Sequence, residues 1–133
     1  MTLETPFSIP GKIDGVPTKV LQDTGASISV IAESFLQRLR VSRPNKHYQV
    51  KKTDTVVRAA NWGKLDVIGE VTLNIKMGRA RLSCDMLVIR DFPYDALIGL
   101  DNMKKHGIIV DPANNYISIK GHPILKSNRG RKE

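Results

Sequence analysis

The sequence predicts a mostly β domain, one closed β layer carrying one or two short helices. Three observations predict it. Hydrophobic residues make up 41% of the chain and include many Val and Ile in short runs, with only 5% aromatics; several runs alternate with polar residues at the period of a half-buried strand. Asp-Gly, Gly and Pro turn signals separate them. The order hairpin, loop, helix then occurs twice, a weak pseudo-repeat with no clear linker between its halves. At 133 residues the chain is long enough to bury a single core without metals or disulfides.

Phe7-Ser8-Ile9 and Gly11-Lys12-Ile13 enter a first hairpin, Asp14-Gly15 turns it, and Val16 to Leu21 returns. Val30 to Leu39 shifts to helical spacing, with Phe35, Leu36 and Leu39 on one face and an end near Pro44. Tyr48 to Val57 and Leu65 to Ile75 alternate as strands around a loop tip, Ala59 to Lys64. After a turn at Met77-Gly78, Ala80 to Ile89 forms another strand, which Asp91-Phe92-Pro93-Tyr94 interrupts and Ala96 to Leu100 resumes. Asp101 is suited to cap a short helix, Asn102 to His106, that Gly107 ends. Asp111-Pro112 and Asn114-Asn115 read as turns. The domain is expected over 1–122, with 123–133 a basic, flexible tail.

The net charge of +8 and pI near 9.8 invite a nucleic-acid partner. Lys51-Lys52, Arg79 with Arg81 and Lys104-Lys105 are scattered, whereas Lys126 to Lys132 concentrates basic residues at the end. Two readings stand: a solvated surface with a loose tail, or a tail that contacts RNA or DNA. No stretch reaches the roughly 18 apolar residues of a membrane span, and Met1-Thr2-Leu3-Glu4 lacks a signal-peptide pattern, so a soluble, intracellular protein is expected. Cys84 is solitary, which excludes an internal disulfide or cysteine zinc site, and its alternation makes it a buried structural thiol. His47, His106 and His122 share no metal-like spacing and are expected at the surface.

The most informative stretch is Val20 to Ile31, where an apolar run delivers Asp23-Thr24-Gly25-Ala26-Ser27 and apolar alternation then resumes. A carboxylate is thereby held at a strand end. Gly25 admits close backbone approach, and Thr24 and Ser27 supply hydroxyls that tie a tight turn. The same tripeptide is also ordinary turn chemistry. A second stretch, Tyr94-Asp95-Ala96-Leu97-Ile98-Gly99-Leu100-Asp101-Asn102-Met103, decides between the two. Together they resemble the retroviral (retropepsin) family of aspartic proteases, over roughly Pro6 to Ile119. Details look similar to the gypsy-type LTR retrotransposon proteases.

The resemblance implies a closed-barrel retropepsin fold and an endopeptidase active as a homodimer, each copy donating Asp23 to a catalytic couple. It implies no metal and no cofactor. Thr24 would link the two loops, Gly25 would let substrate backbone lie close, and Ala26 and Ser27 would complete the loop. Ala26 brings no hydroxyl to Asp23, which points to a less acidic optimum than that of pepsin-like enzymes. Ala60, Asn61, Trp62 and Gly63 fall where the family's substrate-covering flap belongs; Trp62 is either a cover or a packed hairpin or dimer residue. Val30, Ile31, Leu97, Ile98 and Gly99 either line substrate pockets or belong to the core. The implied substrate is an extended peptide in the chain's own precursor polyprotein, cleaved in the cytoplasm or within virus-like particles.

Two positions depart from the family pattern. Ser27 stands where many retroviral proteases carry Asp, and Leu100 where they carry the Arg that pairs with it. Ile117-Ser118-Ile119 and Pro123-Ile124-Leu125 are candidate terminal strands for a dimer. The alternatives are a weakly catalytic dimerisation or peptide-binding module, and a eukaryotic retropepsin of the ubiquitin-shuttle group, which shares the Ile-Gly-Leu-Asp type of motif. A basic β-barrel that binds RNA lacks the aromatic platform for stacking.

Overall fold

Inside-outside alternation lets six strands close on themselves. In a computed structural model that describes residues 7–59 and 63–125, β1 (Phe7–Ile13) and β2 (Val16–Gln22) form the first hairpin. Asp14 and Gly15 both take positive φ, 48° and 82°, the turn whose twist matches its flanking strands. After β3 (Val30–Ala32) comes α1 (Glu33–Ser42), which buries Phe35, Leu36 and Leu39. A small ribbon of β4 (Arg58–Ala59) and β5 (Gly63–Lys64) leads to the long hairpin of β6 (Asp66–Met77) and β7 (Ala80–Arg90).

β8 (Ala96–Ile98) completes the barrel, whose strand order is β1-β2-β8-β3-β7-β6, with β6 returning to β1. α2 (Leu100–His106) follows and ends at Gly107, whose φ of 63° is the left-handed conformation a helix C-terminus favours. β9 (Ile108–Asp111), β10 (Tyr116–Ile119) and β11 (His122–Leu125) make a separate three-stranded sheet. Ile9, Ile13, Ile31, Phe35, Leu73, Ile75, Met86 and Ile89 are among the side chains that fill the core. The mostly β, closed-barrel prediction with two short helices therefore holds. Among the described residues no helix is long and apolar enough to cross a membrane.

Four expectations change. Val30 to Ala32 is strand, because β7 and β8 both offer backbone edges to it, and the helix starts at Glu33. Tyr48 to Val57 is not a strand: Lys51 alone bridges to Glu70, with N–H to O distances of 2.8 and 2.9 Å. Gly69, beside a bulge in β6 between Val67 and Gly69, lets the 50–51 backbone come close: a Cβ there would sit 2.5 Å from Lys51 O. His106 is buried rather than superficial, its Nε2 lying 2.9 Å from the Ser83 carbonyl. Finally, the expected boundary after residue 122 falls inside β11, which pairs with β10 through Leu125.

Cys84 lies on the inner face of β7 and is fully buried. Burial pushes its thiol up to about 12, which leaves almost no thiolate near neutrality. A disulfide reagent at pH 8 is therefore expected to label the folded protein at least about 100-fold more slowly than the guanidinium-unfolded chain. Equal rates measured by absorbance would contradict the burial.

Candidate active site

Seven residues, 23–29, leave one edge of β8 and return to the other. On one side β2 runs parallel to β8, with Val20, Leu21 and Gln22 opposite Ala96, Leu97 and Ile98. On the other, β3 runs antiparallel, with Val30 opposite Leu97 and Ile31 opposite Ala96. Both edges of a three-residue strand are thus occupied by the stems of one loop, and the chain leaving β8 passes directly beneath it. The Asp23 N–H donates to the Ile98 carbonyl at 3.0 Å, the Leu100 N–H to Ala26 O at 2.8 Å, and the Asp101 N–H to Ser27 O at 3.2 Å.

The loop also holds its own carboxylate. The Gly25 N–H donates to Asp23 Oδ1 at 2.9 Å, and the Ala26 N–H to the Asp23 carbonyl at 3.1 Å, the two bonds of an Asx-type turn. Asp23 is half-buried, whereas Thr24, Gly25 and Ser27 are exposed. Gly99 is required beneath it: a Cβ there would sit 2.7 Å from Ile28 O and 2.8 Å from Ala26 O, distances no side chain tolerates. Its N–H donates at 2.9 Å to the hydroxyl of Ser29.

Ser29 is fully buried, and its hydroxyl is used to capacity. Besides accepting from Gly99, it donates to Asp101 Oδ1 at 2.6 Å and accepts from Asn102 Nδ2 at 2.8 Å. Asp101 Oδ2 accepts the Ser29 N–H at 3.2 Å, and Oδ1 accepts the Asn102 N–H at 2.7 Å. Asn102 Nδ2 reaches the Asp85 carbonyl of β7 at 3.1 Å. The expectation that Asp101 caps α2 is therefore corrected. Gly99 occupies the cap position, and Asp101, in the first helical turn where negative charge is favoured, ties the loop to the helix. Sequence alone assigns no role to Ser29 or Asn102; Ser29 carries a signal, a polar residue between apolar Ile28 and Val30, whereas Asn102, between Asp101 and Met103, carries none.

The proposed pocket residues are distributed differently. Val30 and Leu97 are 5% exposed, and Ile31 and Ile98 are fully buried, so all four are part of the core under the loop. Gly99 lies against the loop backbone. Gly63 opens β5 with a φ of 65°; Ala60, Asn61 and Trp62 lie outside the described residues. Among the described residues no three His, Cys, Asp or Glu side chains are grouped to hold a metal ion.

Residues 9–105 match the family model described as gag-polyprotein putative aspartyl protease. The chain is 28% identical over 109 residues to Protein DDI1 homolog 2 of Danio rerio, covering 81% of this chain and 25% of that protein. It spans about a quarter of the length of the curated relatives it matches. By structure it is similar to the retroviral protease-like domain of Ddi1 from Leishmania major, with a TM-score of 0.71 and 21% identity over 98% of this chain and all of that one. That likeness is one of fold. EIAV protease, solved in complex with the inhibitor HBY-793, superposes with a TM-score of 0.63 at 25% identity, covering 84% of this chain and 97% of that one.

Removing the Ser29 hydroxyl strands a buried Gly99 N–H and part of the Asp101 and Asn102 bonding. Ser29→Ala is expected to lower stability by about 2–4 kcal/mol, read as a shifted urea midpoint. Ser27→Ala, two residues away but exposed, is expected to change it by no more than about 0.5 kcal/mol. Equal effects of the two would deny that Ser29 fastens the loop.

Proposed function

The chain belongs to the retropepsin-like aspartyl proteases of the gag-polyprotein type, and from that premise we propose that it is an endopeptidase active as a homodimer in which each copy donates Asp23. The observation that carries this reading is the presentation of Asp23: half-buried, with one oxygen held by the Gly25 N–H, on a loop whose two stems are bonded to β8.

Peptide hydrolysis without a covalent intermediate needs one group to take a proton from water while another gives one to the carbonyl oxygen, and later a proton must reach the leaving amine. Two facing carboxylates supply both roles, because close approach prevents both from ionising together, and aspartic proteases are the general example of this principle. The ionised member takes the water proton as the oxygen attacks the carbonyl carbon. The protonated member gives its proton to the carbonyl oxygen. Collapse of the tetrahedral intermediate then breaks the C–N bond as the amine nitrogen is protonated. The pair titrates as a unit.

A two-fold axis beside Asp23 generates such a pair from one sequence. In this reading Thr24 bridges the two loops and Gly25 admits the substrate backbone. Ala26 and Ser27 close the turn, and the ribbon tip with Ala60, Asn61, Trp62 and Gly63 covers an extended peptide that docks as an added strand. The protease unit runs through β11, and 126–133 forms a basic extension. The match to a gag-polyprotein family supports a precursor polyprotein as substrate, processed in the cytoplasm or in virus-like particles. Similarity to the DDI1 homologues supports a second reading, a retropepsin of the ubiquitin-shuttle type acting on other polypeptides. Cleavage assays on the adjoining precursor and on ubiquitin-conjugated protein separate the two.

Asp23→Asn is expected to abolish peptide hydrolysis without changing the folded spectrum. Adding an equal amount of that variant to a fixed amount of wild type is expected to cut the rate to about half once subunits exchange, because mixed dimers lack the couple. An unchanged rate after verified exchange, or full activity of Asp23→Asn, would refute the shared site.

A further inference from the structure

A second feature lies at the other end of the first hairpin. Lys12 of β1 stands opposite Lys76 of β6, and Lys76 stands opposite Arg81 of β7, so three cations form a row across three neighbouring strands. All three are exposed, and none has a carboxylate partner among the described residues. Like charges directly opposite one another destabilise a sheet. Among the described residues no ion pair offsets this row.

The row lines a groove of ≈ 700 Å³ whose wall is completed by Arg43 and Lys46. Its lining contains a single carboxylate, Asp14, which is already engaged by Lys46 Nζ at 2.7 Å and by the Tyr48 hydroxyl at 2.6 Å. Arg43 is fixed by donating from Nε to the Asp14 carbonyl at 2.8 Å. Lys105 reaches the Ser83 carbonyl on the groove's edge at 3.2 Å. Beyond Arg81 and Leu82 a second depression carries Arg79 and Lys120, extending the positive surface. β2 separates the hairpin turn from Asp23 by about 20 Å of strand, so this surface is distinct from the proposed catalytic loop.

We propose that this groove binds the phosphate backbone of single-stranded nucleic acid without reading its sequence. A line of cations set at neighbouring strand positions suits a polyanion with regularly repeated charges, and release of condensed counterions supplies the affinity. No aromatic side chain lines the groove, so it offers bases no stacking surface, and discrimination among sequences is absent. The inference stands apart from the protease reading.

The test is fluorescence anisotropy of the full chain with labelled 20-nucleotide oligo(U) RNA and oligo(dT) DNA across a salt series. Wild type is expected to bind both within a few-fold of each other and to weaken steeply with salt. Lys12→Gln/Lys76→Gln/Arg81→Gln is expected to bind at least about tenfold more weakly at 100 mM salt, with a log-log salt slope smaller by about 2. Its thermal midpoint is expected to hold or rise, since a repulsive row is removed. Lys19→Gln/Lys51→Gln/Lys52→Gln, which removes the same charge from other exposed positions, is expected to lose less than half as much in log affinity. Asp23→Asn is expected to bind like wild type, so loss of hydrolysis and loss of binding are read separately.

Equal losses in the two triple variants would reduce the effect to net charge and overturn the proposal. So would unchanged binding in the first triple variant, or loss of all binding on neutralising Lys126, Arg129, Arg131 and Lys132 alone. Binding of polyglutamate but not of either oligonucleotide would also overturn it, by assigning the groove to an acidic protein.

Discussion

Everything near Asp23 depends on β8 having both edges filled by the same loop. A strand of three residues is a weak element by itself. Here it pairs parallel with β2 and antiparallel with β3, so the loop ends cannot drift independently. Any displacement of the 23–29 segment would break ladder bonds on two sides at once. The apolar residues of this region, Val30, Ile31, Leu97 and Ile98, gain their importance from that arrangement: they pack the crossing point against the core and so fix the height at which the carboxylate emerges.

The loop needs a second fastening because a turn rich in Thr, Gly and Ser buries little surface of its own. Ser29, Asp101 and Asn102 provide it with polar atoms in a largely apolar setting. Such a network favours one geometry strongly when every member is satisfied and is costly when one is missing. The Ser29 hydroxyl has no spare capacity, and Asn102 carries the connection on to β7. Packing alone would hold the loop near the barrel; these directional bonds select one orientation for it.

Much of this was legible because it is periodic or punctuated. The Asp14-Gly15 turn, the buried face of α1 and the Gly107 stop follow from alternation, helical spacing and left-handed glycine, and the second turn falls one residue later than expected, at Gly78-Arg79 after Met77 pairs with Ala80. What the sequence concealed was competition between partners. Val30 to Ala32 continues an apolar pattern that suits a helix, yet two open strand edges capture it. Tyr48 to Val57 alternates as a strand does, yet it pairs with β6 only at the Lys51–Glu70 bridge. Asp101 is a good cap by type, yet Gly99 already occupies that position, and the carboxylate bonds Ser29 instead. Each difference arises from a contact distant in sequence, which local periodicity cannot register.

The bonding of Asp101 to Ser29 bears on the arrangement of the site. The two halves of the chain each deliver a strand, a tight loop and a helix, and each carries an Asp close to the crossing point. They are not equivalent. Asp23 is half-buried on the outer loop with one oxygen tied to Gly25, whereas Asp101 accepts three hydrogen bonds from Ser29 and Asn102 beneath it. Turning Asp101 away would leave the buried Ser29 N–H and hydroxyl without their acceptor, so its carboxylate is engaged in holding the loop. The loop itself thus presents one carboxylate, Asp23, and in the homodimer reading proposed above the second member of the couple comes from another copy.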